Sequence, residues 1–246
     1  MEQMKKHFDD FTLHARVMPV LVESIPFILV IGAKGIFVSN ALEAGTMATL
    51  AIIAISLLYR LAWDRGKHCE EKMVERLGFM PTVLMLRFSD PHFGEVSKKE
   101  YHRRINKAFH LAFPLEAPDE KREDDAQYEA AVRSLKNRAN SDRSTEFRVY
   151  QELKEYHFFR NLHGIKPIAI FIYGGLAFRE IWVVQDFNMK DLFLHPFPDY
   201  ITFLIFTAWV VLNCFVTQKG VEERSYSYGK ALIESCERLP YEVADG

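Results

Sequence analysis

The side chains best suited to acid–base chemistry in this sequence are Asp90, His92 and His102. Asp90 and His92 fall in a Ser89-Asp90-Pro91-His92 turn, so an acid and a base are close together. No nucleophile elbow, phosphate loop or paired-carboxylate pattern accompanies them, and the sequence assigns no catalytic residue. His102 and His110 share a helical stretch but stand eight residues apart, a rise of about 12 Å, too far to ligate one metal ion. His68 and Cys69 are neighbours whose side chains diverge. The three cysteines, Cys69, Cys214 and Cys236, lack CxxC spacing and read as free thiols. No metal or cofactor pattern results.

A second group of residues is defined by where its charges stand. Glu23, Lys34, Arg179 and Glu180 lie within or at the ends of long apolar runs. A charge facing lipid is costly, so such groups face protein, water or headgroups. They are compatible with a structural ion pair between the first and third apolar helices, with boundary residues, or with the lining of a pore formed on assembly. A third group, Arg160, Asn161, Gly164, Lys166 and Pro167, leads into the third apolar run. It reads either as an interfacial anchor or as a hinge coupling a soluble domain to that run.

The elements that must position these residues divide the chain into five parts. Residues 1–16 form a polar segment of mixed charge without a cleavable signal, compatible with a short amphipathic helix on a membrane surface. Residues 17–63 hold two apolar runs, Val17–Val38 and Thr46–Trp63, with Arg60 and Trp63 at the boundary. Residues 64–164 are charge-dense. There Gly78-Phe79-Met80-Pro81-Thr82 breaks a helix, and Val83–Phe88 reads as extended. Three helices follow: Ser97–Phe113, with Tyr101, Ile105, Phe109 and Ala112 on one face; Asp124–Ala139, with Tyr128, Ala131, Val132 and Leu135 inward; and one capped at Ser141-Asp142. Residues 165–217 hold the third and fourth apolar runs, where Gly174 and Gly175 admit a close backbone approach. Residues 218–246 form a polar tail with one further helix.

The chain has 246 residues and a net charge of −2. That balance gives no bias toward nucleic acid and argues against direct nucleic-acid binding. Lys and Arg are concentrated in the N-terminal segment, the central block and the tail, whereas the two short connections between apolar runs carry only Lys190. The positive-inside rule therefore predicts cytosolic termini and a cytosolic central domain. The expected fold class is an all-α membrane protein, with four transmembrane helices in two hairpins around a mostly helical cytosolic domain.

Several short pieces in order carry a family resemblance: Gly78-Phe79-Met80-Pro81-Thr82 with Leu86-Arg87; Tyr101-His102; Tyr128 with Val132; and Glu152 with Tyr156, Phe158, Arg160, Asn161, Gly164, Lys166 and Pro167. Over about ninety residues the chain resembles a family of uncharacterised bacterial four-transmembrane proteins with a helical cytosolic insert. It departs from that family's pattern before Pro81-Thr82, where a second Gly is usual, and at His157 and Phe159. The resemblance implies a two-plus-two membrane arrangement and a bacterial inner-membrane location. In plan it is similar to small membrane effectors of bacterial defence systems, by analogy only.

The expected function is that of a homo-oligomeric membrane protein. Its cytosolic domain would sense a protein partner or ligand, and its spans would form or gate a pore, in the manner of an anti-phage effector. Two alternatives stay open: a membrane scaffold recruiting a cytosolic partner, and a membrane-embedded enzyme using Asp90, His92 and His102.

Overall fold

A computed structural model of the chain describes residues 10–33, 41–112, 124–183 and 198–239. Lys34, Gly35, most of the N-terminal segment, the loop at 114–123 and the connection carrying Lys190 lie outside the described residues. The described chain is all-helical in its regular elements, and no strand occurs among the described residues. Its helices are α1 (Met18–Ala33), α2 (Ala41–Leu77), α3 (Pro81–Leu84), α4 (Glu95–Phe109), α5 (Asp124–Ser141), α6 (Phe147–Val183), α7 (Pro198–Cys214) and α8 (Gln218–Glu234). A helical turn at Asp10–Thr12 and a π turn at Leu13–Val17 lead into α1, and a 3-10 turn at Ser235–Arg238 follows α8.

The chain divides into two compact units, residues 1–70 with 157–218 and residues 71–156 with 219–246. In the first unit α1, α2, α6 and α7 pack through small residues. Ala62 of α2 meets Val20 and Ile165, and Ala169 and Ala177 of α6 meet Phe206 of α7 beside Tyr173. Small side chains at such contacts let helix axes approach and add van der Waals contact. The backbones of α2 and α6 come close at two glycines. A Cβ placed on Gly164 would sit 2.5 Å from the Gly66 nitrogen and 2.7 Å from the Arg65 carbonyl carbon. Gly164 is therefore the floor of a helix crossing.

The junction read as an anchor or a hinge contains no break in the helix. Gly164 and Pro167 both lie inside one continuous 37-residue helix. Pro167 removes the N–H that would reach the His163 carbonyl, yet packing carries the helix through. Gly174 and Gly175, expected to admit a neighbouring backbone, have nothing within 4 Å of a built Cβ.

The second unit gathers its core from α4, α5, α8 and the adjoining parts of α2 and α6. Tyr101, Ile105, Tyr128, Ala131, Val132 and Leu135 are buried as their spacing predicts, whereas α4 ends at Phe109, which is half-buried, and leaves Ala112 exposed beyond it. Phe147, which helical spacing groups with Tyr150, Leu153, Tyr156 and Phe158 on an inward face, is 60% exposed at the start of α6, and Val149 is buried in its place. Asp142 supplies the preceding cap: its Oδ1 accepts from Ser144 Oγ and the Thr145 amide, and the Thr145 side chain, then these bonds, hold its pKa below the usual carboxylate value. Val83–Phe88 is not extended. Pro81 stands at the first position of α3, where its missing donor costs nothing. Turn hydrogen bonds from Leu86 to Val83 and from Arg87 to Leu84 complete the segment. The supposed polar tail is a core element: Val221, Leu232 and Ile233 of α8 are fully buried. It is anchored by the buried carboxylate of Glu146, which pairs with Arg238 and with Arg138 at 3.5 Å.

By length and composition one described helix, Asp10–Ile31, is apolar enough to cross a membrane, with a mean hydropathy of 1.6. A second passes only if Ile201–Cys214 and Gln218–Arg238 are counted as one broken span. Four crossing helices are not established by this criterion among the described residues.

The glycine geometry yields a comparison within one helix. Gly164→Ala is expected to destabilise the protein by about 1–3 kcal/mol through overpacking. Gly174→Ala is expected to be neutral or to stabilise by up to about 1 kcal/mol through helix propensity. Thermal unfolding of the two variants in the same detergent measures the difference in sign.

Candidate functional site

The crossing of α2 and α6 brings together residues that the sequence scatters over about two hundred positions. Arg160 follows one turn behind Gly164 and points into the first unit, where it is 2% exposed. A buried guanidinium needs an anion and acceptors for its remaining donors. Its Nη1 donates to Glu70 Oε2 at 2.6 Å, and its Nε and Nη2 donate to Asn161 Oδ1, each at 3.3 Å. Asn161 uses its other end to donate from Nδ2 to the Ala15 carbonyl at 2.6 Å. Ala15 lies in the π turn, where the shifted hydrogen-bond register opens the backbone to a side chain. Lys166 Nζ donates to the Val216 carbonyl at 2.9 Å, beyond the C-terminus of α7, where a cation also meets the negative end of the helix dipole. Four of the five predicted coupling residues thus bind one collar, joining α6 to α1, α2 and the end of α7. Pro167 follows on α6 without a polar contact of its own.

Trp63 is the collar's aromatic centre. The guanidinium carbons of Arg16 and Arg160 lie 3.9 and 4.7 Å from its ring centroid, and Lys67 Nζ lies at 5.4 Å. The His157 ring stacks on the indole at 5.6 Å. Three cations around one indole exploit its negative π faces.

The collar also holds a thiol–imidazole pair. Cys69 Sγ is 3.3 Å from His163 Nδ1 and donates to Gln218 Oε1 at 3.1 Å. Burial, with Lys166 nearby as a lesser cause, holds the His163 pKa below its ordinary value. A neutral imidazole can accept the thiol proton, but Cys69 is only 6% exposed, which denies a substrate access to the sulfur.

Of the charges in the apolar runs, those described do not form one cluster. Glu23 is buried and accepts from Trp209 Nε1 at 2.9 Å and Asn213 Nδ2 at 3.2 Å, while its backbone carbonyl accepts from the Tyr173 hydroxyl. It is a knot between α1, α6 and α7. Glu180 is buried and pairs at 3.1 Å with Arg179, which is 66% exposed at its side chain. Lys34 lies outside the described residues.

In the second unit, Asp90 Oδ1 accepts from both the amide and Nδ1 of His92, each at 2.9 Å, and His92 stacks on Tyr226 at 4.4 Å. His102 is fully buried, its Nε2 lying 2.8 Å from the Leu86 carbonyl and its ring against Phe88 and Tyr128. These bonds brace a turn and a core. The same turn is held by Lys98, 2% exposed, which donates to the carbonyls of Arg87, Phe88 and Asp90. Burial pushes the Cys236 thiol up to about 12, so it is inert at neutral pH. No group of three or more potential metal ligands occurs among the described residues.

Sequence reasoning missed Gly66, the partners of Cys69, and the roles of Lys98 and Glu146. Gly66 alone left a signal, an isolated glycine between Arg65 and Lys67 within a helical pattern. Comparison of the chain with known protein families, with curated proteins and with solved structures gave no match. The collar is therefore interpreted from its own geometry.

Two outcomes follow from the collar. Glu70→Ala takes the carboxylate from a buried guanidinium and is expected to cost about 3–5 kcal/mol. Arg160→Met leaves a carboxylate whose side chain is 30% exposed and is expected to cost less; chemical denaturation measures both. His163 behaves as a base whose folded pKa is depressed. Its contribution to stability is present above the ordinary value of 6.5 and is lost as pH falls below that value through the folded pKa. The unfolding midpoint should fall on acidification from pH 7 to pH 5, and His163→Gln should flatten that dependence.

Proposed function

We propose that the protein is a multi-pass membrane protein in which α1, α7 and the adjoining parts of α2 and α6 lie in lipid. The second unit stands in the cytosol and sets the state of these helices. One observation carries this reading. Among the described residues, every exposed large hydrophobic side chain except Val96 and Phe147 belongs to the first unit, including Ile28 at 62%, Leu57 at 64%, Phe171 at 82% and Phe215 at 76%. An apolar surface of this extent marks contact with lipid or another chain. Several polar groups inside that unit are bound within it, Glu23 by Trp209 and Asn213 and Asn161 by the Ala15 carbonyl, as a bilayer favours. Three further observations support the two-plus-two plan. Just 28% of the Asp10–Ile31 window is buried, α7 is a 17-residue apolar helix, and α2 and α6 each run through both units.

The mode of action that fits is self-assembly into a polar passage. Arg179 projects from α6 between exposed Phe171 and Phe178 and buried Glu180. A guanidinium there is stabilised by water or by a second copy far better than by acyl chains. Glu23, bound within the protomer, fixes helix packing and drops out of the lining. Among the described residues His102 stands apart from the Asp90–His92 pair, buried against the Leu86 carbonyl, which favours this reading over an enzyme that uses all three.

The test has two stages. Expressed in bacteria, the full chain should remain with the membrane after alkaline carbonate extraction and leave it only in detergent; release by carbonate would overturn the assignment. Reconstituted in liposomes, the protein should release trapped ions, and Arg179→Gln should reduce the rate at least tenfold. Unchanged flux in that variant, or no flux from the intact protein, would overturn the passage.

A further inference from the structure

Among the described residues the collar carries more positive charge than it neutralises. Of the three cations on Trp63, Arg160 is matched by Glu70, whereas no carboxylate within ion-pair distance of Arg16 or Lys67 is found among the described residues. The Nε of Arg16 is buried and has no hydrogen-bond acceptor. Leaving a charged donor so placed costs free energy unless an anion arrives from outside.

An apolar cleft of about 370 Å³ opens along the same three helices, between α1, α2 and α6. Its floor begins about one turn beyond each collar residue: Val20 follows Arg16, Leu58 precedes Trp63, and Ile165 follows Arg160. Its polar members are occupied, since the Ser24 hydroxyl donates to the Val20 carbonyl and Glu23 is bound by Trp209 and Asn213. The cleft thus offers hydrocarbon a lining of hydrocarbon, with cations at one end. Its volume is in the range of small-ligand sites.

We infer that this cleft and the Arg16–Lys67 end of the collar form a binding site for one anionic phospholipid, with its phosphate at Arg16 and Lys67 and an acyl chain along α1, α2 and α6. The inference rests on the membrane reading above. A zwitterionic lipid satisfies the cleft but brings its own cation to the collar, and a free phosphate satisfies the collar but leaves the cleft empty. Both halves together select a lipid of net negative charge, as basic pockets between membrane helices do at cytoplasmic surfaces. The bound phosphate would join α1 to α2 at the level where Asn161 and Arg160 join them to α6, so lipid binding would stiffen the crossing.

The experiment uses the full chain in detergent, with thermal unfolding and native mass spectrometry as readouts. Phosphatidylglycerol, phosphatidylcholine and inorganic phosphate are added separately. Phosphatidylglycerol should raise the unfolding temperature by several degrees and remain bound on desolvation, at least tenfold more than phosphatidylcholine; inorganic phosphate should do neither. Lys67→Gln and Arg16→Gln should each reduce the preference for phosphatidylglycerol several-fold, and Arg16→Lys should retain part of it. Ala54→Phe, which fills the cleft, should weaken binding of both lipids equally. Equal binding of the two lipids, or a preference unchanged in Lys67→Gln, would overturn the site. Stabilisation by inorganic phosphate equal to that by phosphatidylglycerol would assign the collar to a soluble anion and overturn the lipid. A chain released by carbonate would defeat the membrane reading itself, whereas loss of lipid preference in a carbonate-resistant protein would defeat this inference alone.

Discussion

Two glycines, Gly66 and Gly164, let the backbones of α2 and α6 touch, and the arrangement of the first unit depends on that contact. No other residue fits at Gly164 without moving main chain, because the atoms facing it are the Gly66 nitrogen and the Arg65 carbonyl carbon. Gly66 is less strict, since the nearest atom to its missing Cβ is Asn161 Oδ1, at the end of a side chain. The two requirements differ in kind. One sets how close the helices come, and the other makes room for the amide that Arg160 needs.

From that distance the collar follows. With the helices in contact, the side chains one turn to either side are forced into the space between α1, α2 and α6. Trp63, Arg160 and Asn161 occupy it, and their bonds reach Glu70 and the Ala15 carbonyl. Burying a guanidinium is unfavourable unless every donor finds a partner, so the network specifies one register of α6 against α2. A slip of one residue would carry Arg160 away from Glu70 and a Cβ onto the Gly66 backbone. Further along the bundle, Glu23 performs the same role between α1 and α7 by binding Trp209 and Asn213.

The helical character of the chain was legible because its apolar residues recur at helical spacing, and the inward faces of α4 and α5 were legible for the same reason. What periodicity could not reveal was continuity. Gly164 and Pro167 allow a bend by local preference, yet α6 runs through them without a break. Pro81 read as ending one segment before an extended one, but it starts α3. The tail read as polar, with one helix, because charged residues such as Glu222, Glu223, Arg224 and Lys230 are interspersed with Ser225, Gly229 and Ala231, small residues that bury easily without a hydrophobic signal. The collar's α6 residues were visible as a cluster in sequence, while their partners on α1, α2 and beyond α7 were not, because no local pattern encodes a contact across 90 or 146 positions. The charges in the apolar runs were visible too, but chemistry alone did not distinguish Glu23, bound on all sides, from outward-facing Arg179.

The central claim is that α6 is pinned inward at the crossing while its opposite face meets hydrocarbon. Spin labels placed singly from Ile165 to Phe178 in the reconstituted protein, read for collision with oxygen and with a water-soluble nickel reagent, test it directly. Oxygen accessibility should be lowest at Ile165, Ala169, Tyr173 and Ala177, which are buried, and highest at Phe171 and Phe178, with little nickel accessibility at either. An oxygen profile without helical period, or a nickel maximum at Phe171, would contradict it.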